Sequence, residues 1–375
     1  MKYRKQLFSS PDPFDTEHTD ELFLEAVREN CAFQWKHCTP YREMLEKMQF
    51  SPDQLKKYGD LKHLPFLPTV LFKKHRLYSM RDRSMLIKAT SSGTAGKFSR
   101  IGFEASGLLC GLRMVIKIAK WRGLLSWRPT NYIILGYKPR KGNDMAVTKT
   151  AFGSTFFAPA LHRAYALKYQ NGKYEADLEG IIEKLQDYVH AGFPVRFMGF
   201  PSYTYFLLRM MDERGIHLTL PPHSKIMLGG GWKQFYTEQV DKEVLYALAK
   251  QVLGVEEENI IEFFGAAEHP ILYCDCPEHH FHIPVYSRVI IRDVHTLAPV
   301  TNGNIGLVNL ITPMVKATPI LSIMTDDLGV LHDGEKCKCG LNSPYLEIIG
   351  RVGLRDIKTC AAGAAELLKG SVDGL

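Results

Sequence analysis

Between Val195 and Phe264 the chain repeats one pattern: a short apolar run, a turn, a helix-length periodic segment, a glycine, then the next apolar run. Val195 to Phe200 reads as a buried strand, Pro201-Ser202 as a helix start, and Tyr203 to Arg214 as the helix that Gly215 ends. Ser224 to Leu228 is the next strand, and Gly229-Gly230-Gly231 is the loop after it. The following helix places Val240, Val244, Leu248 and Val252 on one face, stops at Gly254 and feeds a third strand at Asn259 to Phe264. Crossovers between parallel strands are nearly always right-handed, so these strands are expected to be parallel members of one sheet. An α/β fold follows. In such sheets ligands collect beyond the carboxyl ends of the strands, where the loops at Gly229 and Gly265 are expected.

The alternation starts near residue 130; residues 1–80 read as helical and loop-rich, with an amphipathic stretch from Glu21 to Lys36 and a break at Leu64-Pro65-Phe66-Leu67-Pro68. From about residue 285 it gives way to strands joined by turns, at Val285 to Arg292, Gly306 to Thr312 and Leu321 to Met324. An antiparallel lobe over 285–350 is expected there. With 375 residues, 45% of them apolar and 23% charged, the chain is not collagen-like, disordered or a disulfide scaffold. Lys and Arg number 47 against 40 Asp and Glu, a net charge of +7 spread along the chain. Its basic groups, Lys73 to Arg76 and Lys138 to Lys141, are not interleaved with aromatics for base stacking, so nucleic acid is not the expected partner. The most apolar stretch, Gly107 to Ala119, is broken by Arg113 and Lys117 and is too short to span a bilayer. The basic amino terminus runs into Ser9-Ser10-Pro11 without a hydrophobic segment, which is not a secretory signal, and a cytoplasmic protein is expected. Eight cysteines then read as free thiols, metal ligands or a nucleophile.

Four segments carry chemistry. Thr90-Ser91-Ser92-Gly93-Thr94-Ala95-Gly96-Lys97 combines four hydroxyls, two glycines and a lysine, which suits either a surface turn or a loop whose backbone N–H groups approach a polyphosphate. It is not a Walker loop: Ser91 stands where the first glycine should, and Phe98 follows the lysine in place of a magnesium-binding hydroxyl. Glu262-Phe263-Phe264-Gly265-Ala266-Ala267-Glu268-His269 offers a carboxylate for a magnesium ion bridging phosphates and an aromatic for a nucleobase, or is a solvated turn. Met324-Thr325-Asp326-Asp327-Leu328-Gly329 offers paired carboxylates for ribose hydroxyls or a metal, or is an acidic turn. Gly350-Arg351-Val352-Gly353 is a glycine-flanked arginine that in isolation reads as a surface turn.

In this order and at these separations the four segments resemble the adenylate-forming superfamily, and within it the acyl-protein synthetase (LuxE) family and its phenylacetate-CoA ligase relatives. The resemblance also takes in Pro40-Tyr41-Arg42, Leu64 to Pro68, Gly199-Phe200-Pro201-Ser202 and the Gly229 loop. It implies a large adenylate-forming domain over 1–350, with parallel βαβ sheets and an antiparallel lobe. It implies ATP and Mg²⁺ as cofactors. By matched position, Ser91, Ser92, Gly93, Thr94, Gly96 and Lys97 would form the phosphate loop. Phe264, followed by Gly265, would stack on adenine with the Gly229-Gly230 backbone on its other face, and Glu268 would ligate magnesium. Asp327 would bind the ribose hydroxyls, and Arg351 the ribose or phosphate. An acyl-adenylate forms by attack of a carboxylate oxygen on the α-phosphorus, so phosphate charge must be neutralised, and magnesium, Lys97 and Arg351 are the cations at hand.

The sequence departs from the superfamily in places. Ala95 replaces the second threonine of the phosphate loop, and Gly353-Leu354 stands where a hinge acid is usual, with Asp356 following later. Only residues 352–375 follow Arg351, so a full mobile carboxy-terminal domain, on the order of a hundred residues with a catalytic lysine, is not expected, and 351–375 would replace it. Lys97 and Lys358 are alternative substitutes for that lysine. The short end is similar to that of the acyl-protein synthetases, which implies that Cys360 accepts the acyl group as a thioester before passing it to a partner reductase. Lys358 could lower the Cys360 pKa, although a small buried thiol is the plainer reading.

Cys274, Cys276, His279, His280 and His282 form one cluster and Cys337-Lys338-Cys339-Gly340 another. Two Cys-x-Cys pairs with nearby histidines suggest a closed structural zinc site, with Cys276, His282, Cys337 and Cys339 the best ligand set, or else unlinked free thiols. The expected protein is thus an enzyme that activates a carboxylic acid, foremost a long-chain fatty acid, with ATP and transfers it to a protein thiol. Coenzyme A as the acceptor is the nearest alternative, and a zinc-stabilised binding protein without activity is the alternative from another class.

Overall fold

The computed structural model describes residues 1–91, 98–170, 173–232 and 238–352. In chain order its helices and strands are α1 (Lys2–Leu7), α2 (Asp20–His37), α3 (Thr39–Lys47), β1 (Leu67–Pro68), α4 (Thr69–Lys74), β2 (Ile87–Thr90), β3 (Arg100–Phe103), α5 (Ala105–Trp121), β4 (Thr130–Tyr137), α6 (Ala146–Ser154), β5 (Ala160–Gln170) and β6 (Lys173–Ala176). There follow α7 (Leu178–His190), β7 (Val195–Gly199), α8 (Pro201–Glu213), β8 (Lys225–Gly229), α9 (Lys242–Leu253), β9 (Ile260–Ala266), β10 (His269–Cys274), β11 (Phe281–His282), β12 (Arg288–Arg292), β13 (Ile305–Ile311), β14 (Ser322–His332) and β15 (Tyr345–Arg351). The chain divides into two compact units: one holds the segments up to Ser91, the segment ending at Arg122 and the segment from Gly265, and the other holds Gly123–Phe264. No helix among the described residues is long and apolar enough to cross a membrane.

The Gly123–Phe264 unit is built on strands in the order β9-β8-β7-β4-β5-β6. From β9 through β5 neighbours run parallel, and β6 returns antiparallel at the edge. The parallel β7-β8-β9 run is the one that the alternating pattern predicts. Leu135, Phe197, Ile226 and Leu228 of the strands pack in one core with Leu185 of α7, Leu207 and Met211 of α8 and Val252 of α9. The helix ends follow local chemistry. Asp177 accepts the Gly180 N–H at 2.8 Å to cap α7, Pro201 opens α8, and Gly254 closes α9 with a left-handed φ of 63°. The expected face of α9 needs one correction. Val244 is 49% exposed and Val240 precedes the helix, because the buried stripe is Leu245, Tyr246, Ala249, Val252 and Leu253.

In the other unit the sheet runs β11-β15-β14-β13-β12, antiparallel throughout, with β1 added parallel to β14. β14 extends well beyond Met324, so Asp326 and Asp327 lie within a strand and the acidic-turn reading falls. Asp327 pairs with Arg351 of β15, whereas on the β13 side the register shifts between Leu307 and Asn309, so the two acids stand at a bulge in β14. Arg351 is likewise the last residue of β15 and not part of a surface turn. Buried polar groups lock the amino-terminal helices onto the segment between β13 and β14. Asn30 donates to the carbonyls of Pro313 and Val315, Gln34 to those of Lys316 and Thr318, and Arg4 to Met314 and to the buried Glu104. A satisfied buried network of this kind fixes one arrangement of the chain, since each group left unpaired would cost about 1–3 kcal/mol.

Candidate functional site

Antiparallel register places Asp327 of β14 directly opposite Arg351 of β15. The Arg351 Nε lies 3.8 Å from Asp327 Oδ1 and its terminal nitrogen 3.4 Å from Asp326 Oδ2. The Val352 N–H donates to the Asp326 carbonyl at 2.8 Å, tying the end of β15 to β14. All three charged side chains keep solvent access. The arrangement offers carboxylate acceptors beside a fixed guanidinium, the chemistry needed to hold hydroxyls next to a phosphate.

Glu268 precedes β10 and is only 5% exposed. Burial raises its carboxyl pKa above the ordinary value, with Ser99, Lys73 and Arg351 acting the other way. The neighbouring His269 is anchored by Tyr273 and Ser287, its Nε2 lying 3.0 Å from the tyrosine oxygen and 3.1 Å from the serine oxygen. A buried carboxylate is a hard oxygen donor that gains most from a divalent cation, so Glu268 fits a magnesium ligand. Ser99 belongs to the base of a hairpin formed by β2 and β3. The Ser99 N–H donates to Ser91 Oγ at 2.9 Å, and the Ser91 N–H donates to the Ser99 carbonyl at 3.2 Å. Ser91 is thereby held; Ser92, Gly93, Thr94, Gly96 and Lys97, assigned to the same loop, lie outside the described residues.

The Gly123–Phe264 unit carries its own pair of elements. Gly229 ends β8 opposite Phe263 of the parallel β9, and Phe264 is the next residue, half-buried. Gly230 and Gly231 have φ of 84° and 68°, a left-handed turn that side chains resist, so backbone N–H and C=O groups are presented there without a Cβ. Trp232 then buries against Leu167 and Tyr174 and packs on Tyr205, which pins the far end of the glycine loop. A glycine backbone and an aromatic ring at the carboxyl ends of adjacent parallel strands form the kind of surface a planar base takes. Gly265 itself is exposed.

Cys276, His282, Cys337 and Cys339 converge, their ligand atoms all within 4.8 Å of one another. The Cys276 and Cys337 sulfurs are 3.7 Å apart, and Cys339 Sγ lies 3.2 Å from His282 Nε2. A tetrahedral zinc with Zn–S bonds of about 2.3 Å separates neighbouring sulfurs by about 3.8 Å, so the donor set fits. His282 Nδ1–H donates to the Ser343 carbonyl at 2.7 Å, which leaves the Nε2 lone pair facing the cluster, as metal-binding histidines require. His280 Nδ1, 3.1 Å from Cys337 Sγ, adds a hydrogen bond to that sulfur while its ring stacks on Tyr345. Burial raises the Cys276 and Cys337 thiols above their ordinary range, a penalty on the thiolate that a bound cation removes.

Lys358 and Cys360 lie outside the described residues. Sequence reasoning misses Asp326 as a second partner of Arg351, and Ser99, His280 and Ser343 as supports. All four depend on contacts distant in sequence.

The sequence matches the family described as "Acyl-protein synthetase, LuxE" over residues 4–369. It is similar to a long-chain-fatty-acid–luciferin-component ligase of Vibrio harveyi, 22% identical across 97% of this chain and 93% of that protein. A protein of the same name from Aliivibrio fischeri is 24% identical across 97% of this chain and 93% of its own length. Among solved structures the fold is similar to that of 2-hydroxyisobutyryl-CoA ligase in the postadenylation state with 2-HIB-AMP, with a TM-score of 0.67 at 15% identity, covering 91% of this chain and 69% of that one. The same ligase in an open conformation, with 2-HIB-AMP and CoA, also gives 0.67, covering 91% and 77%.

Proposed function

The chain belongs to the acyl-protein synthetase (LuxE) family, and from that premise we propose that it activates a long-chain fatty acid with ATP and transfers the acyl group to a protein cysteine. In the first step a carboxylate oxygen of the acid attacks the α-phosphorus, the bond to the bridging oxygen breaks, and acyl-adenylate and pyrophosphate result. In the second the Cys360 thiolate attacks the acyl carbon, the bond to the AMP oxygen breaks, and a thioester and AMP result. The observation that carries the reading is the Asp327–Arg351 register, which sets an acceptor for ribose hydroxyls beside a cation for phosphate.

Each residue has its part. Asp327 accepts from the ribose hydroxyls and Arg351 offsets charge on the ribose or phosphate side. Ser91 to Lys97 surround the phosphates, and Phe264 and the Gly229-Gly230 backbone take the two faces of adenine. Magnesium, when bound at Glu268, supplies charge neutralisation at the phosphates. Lys358 lowers the Cys360 pKa, and the thioester passes to an acyl-reductase partner. Zinc in the Cys276, His282, Cys337 and Cys339 site has four protein ligands and therefore a structural role, joining the segment before β11 to the segment before β15. The enzyme acts in the cytoplasm, where its thiols stay reduced.

Acid-dependent exchange of labelled pyrophosphate into ATP tests the reading. Exchange should rise with chain length across a series of saturated acids. No exchange with any acid of the series, with magnesium present, would overturn it.

A further inference from the structure

A helix on the surface of a domain normally turns apolar residues inward and polar ones outward, and one that is apolar all round calls for a second covering surface. α5 is of the second kind. Its inner face buries Cys110, Met114 and Ile118, yet its outer face is also apolar: Leu109 is 48% exposed, Leu112 57% and Ile116 47%. These three span about 10 Å along the helix at 1.5 Å per residue. The helix carries no acid between Ala105 and Trp121, and its charges are Arg113, the exposed Lys120 and Lys117, whose ammonium donates to the carbonyls of Phe8 and Ser10 and so is not turned outward. α1 adds the exposed Lys2 and Lys5 near the start of α5, since Arg4 between them donates to Ser106 Oγ at 2.7 Å. Of the nearby acids, Glu104 is engaged by Arg4 and Glu29 by the Lys2 N–H and the amino terminus, and the exposed Asp12 accepts the Phe14 N–H.

We propose that the outer face of α5 docks on an anionic lipid surface, with Leu109, Leu112 and Ile116 entering the headgroup boundary and Lys2, Lys5, Lys120 and Arg113 meeting phosphates. An apolar stripe on a helix whose own charges are all cationic is the signature of a helix lying in such an interface. A second copy of the chain is a poorer occupant, because pairing the stripe with itself about its midpoint would bring Arg113 against Arg113. The inference rests on the fatty-acid reading for its purpose: a long-chain acid is an amphiphile that a bilayer surface concentrates.

The test is flotation of the full chain with phosphatidylcholine vesicles containing or lacking phosphatidylglycerol, without ATP or fatty acid, so that it does not depend on catalysis. Binding should require the anionic lipid, fall about tenfold or more between low and high salt, and fall at least tenfold in L109E/L112E. The charge variant K5E/K120E provides the same comparison with the apolar stripe intact. The melting temperature and far-ultraviolet circular dichroism should be unchanged in both variants, which separates loss of docking from loss of folding without relying on catalysis. Absence of binding to anionic vesicles, equal binding by the variants, or a wild-type dimer that the variants convert to monomer would overturn the proposal.

Discussion

Asp327 and Arg351 face each other on adjacent antiparallel strands, 3.8 Å apart at their charged ends, and Asp326 reaches a terminal nitrogen of the same guanidinium at 3.4 Å. Exposed ion pairs of this kind contribute only about 0–1 kcal/mol to stability, so the pairing is of interest for what it presents to a ligand.

Arg351→Ala should therefore leave the melting temperature nearly unchanged and lower the kcat/KM of adenylation by roughly thirtyfold, the value of one charge-assisted hydrogen bond of about 2 kcal/mol. Asp327→Asn should act mainly on the KM for ATP. Pyrophosphate exchange kinetics read both, and unchanged kinetics in either variant would remove that residue from the site.

The parallel strands β7 to β9 are legible in the sequence because their signals are local: apolar runs of strand length, Pro201 at a helix start, Gly215 and Gly254 at helix ends. The convergence of Cys276, His282, Cys337 and Cys339 is legible because cysteine and histidine so spaced are rare without a shared purpose. The face of α9 is legible only in part: Val252 is buried and Val240 and Leu248 pack partly buried against the core, but Val244, equally apolar, is exposed, and only the packing of α9 with α8 on the sheet selects Leu245 and Ala249. The strand character of Asp326-Asp327 is hidden for a similar reason. Neighbouring acids resemble a turn until β15, over twenty residues away in sequence, pairs Arg351 with Asp327. Nothing in the local sequence announces that Ser99 would lie beside Glu268 or Ser343 would orient His282.

Metal analysis of the purified chain should find one zinc per molecule, and Cys337→Ser should lose it together with about 5 °C or more of melting temperature. The cysteine thiols must lose their protons and His282 must be neutral for zinc to bind, so zinc should be released as pH falls. A zinc-free wild type of equal stability would contradict the site.

Cys31 is fully buried, and burial pushes its thiol pKa up to about 12. Iodoacetamide at neutral pH should leave it unlabelled in the folded protein and label it completely in denaturant. Rapid labelling under native conditions, followed by peptide mapping, would show that α2 opens where its packing says it does not.

Asp177 caps α7 and pairs with Lys168, and that pair first, then the Gly180 N–H, holds its carboxyl below the ordinary value of 3.8. Asp177→Ala should cost about 1 kcal/mol at neutral pH. A depressed carboxylate contributes stability above its unfolded pKa and loses it as pH falls through the folded one. The difference between parent and variant in denaturant midpoint should therefore hold down to about pH 4 and shrink below it. A difference that is constant with pH would assign the effect to something other than the carboxylate.

The most direct test of the account is the mass of the intact protein after incubation with ATP, magnesium and a long-chain fatty acid. The mass should rise by one acyl group, AMP should be released, hydroxylamine should remove the adduct, and Cys360→Ser should abolish it while pyrophosphate exchange persists. An unmodified protein that instead forms acyl-CoA when coenzyme A is supplied would contradict transfer to a protein thiol.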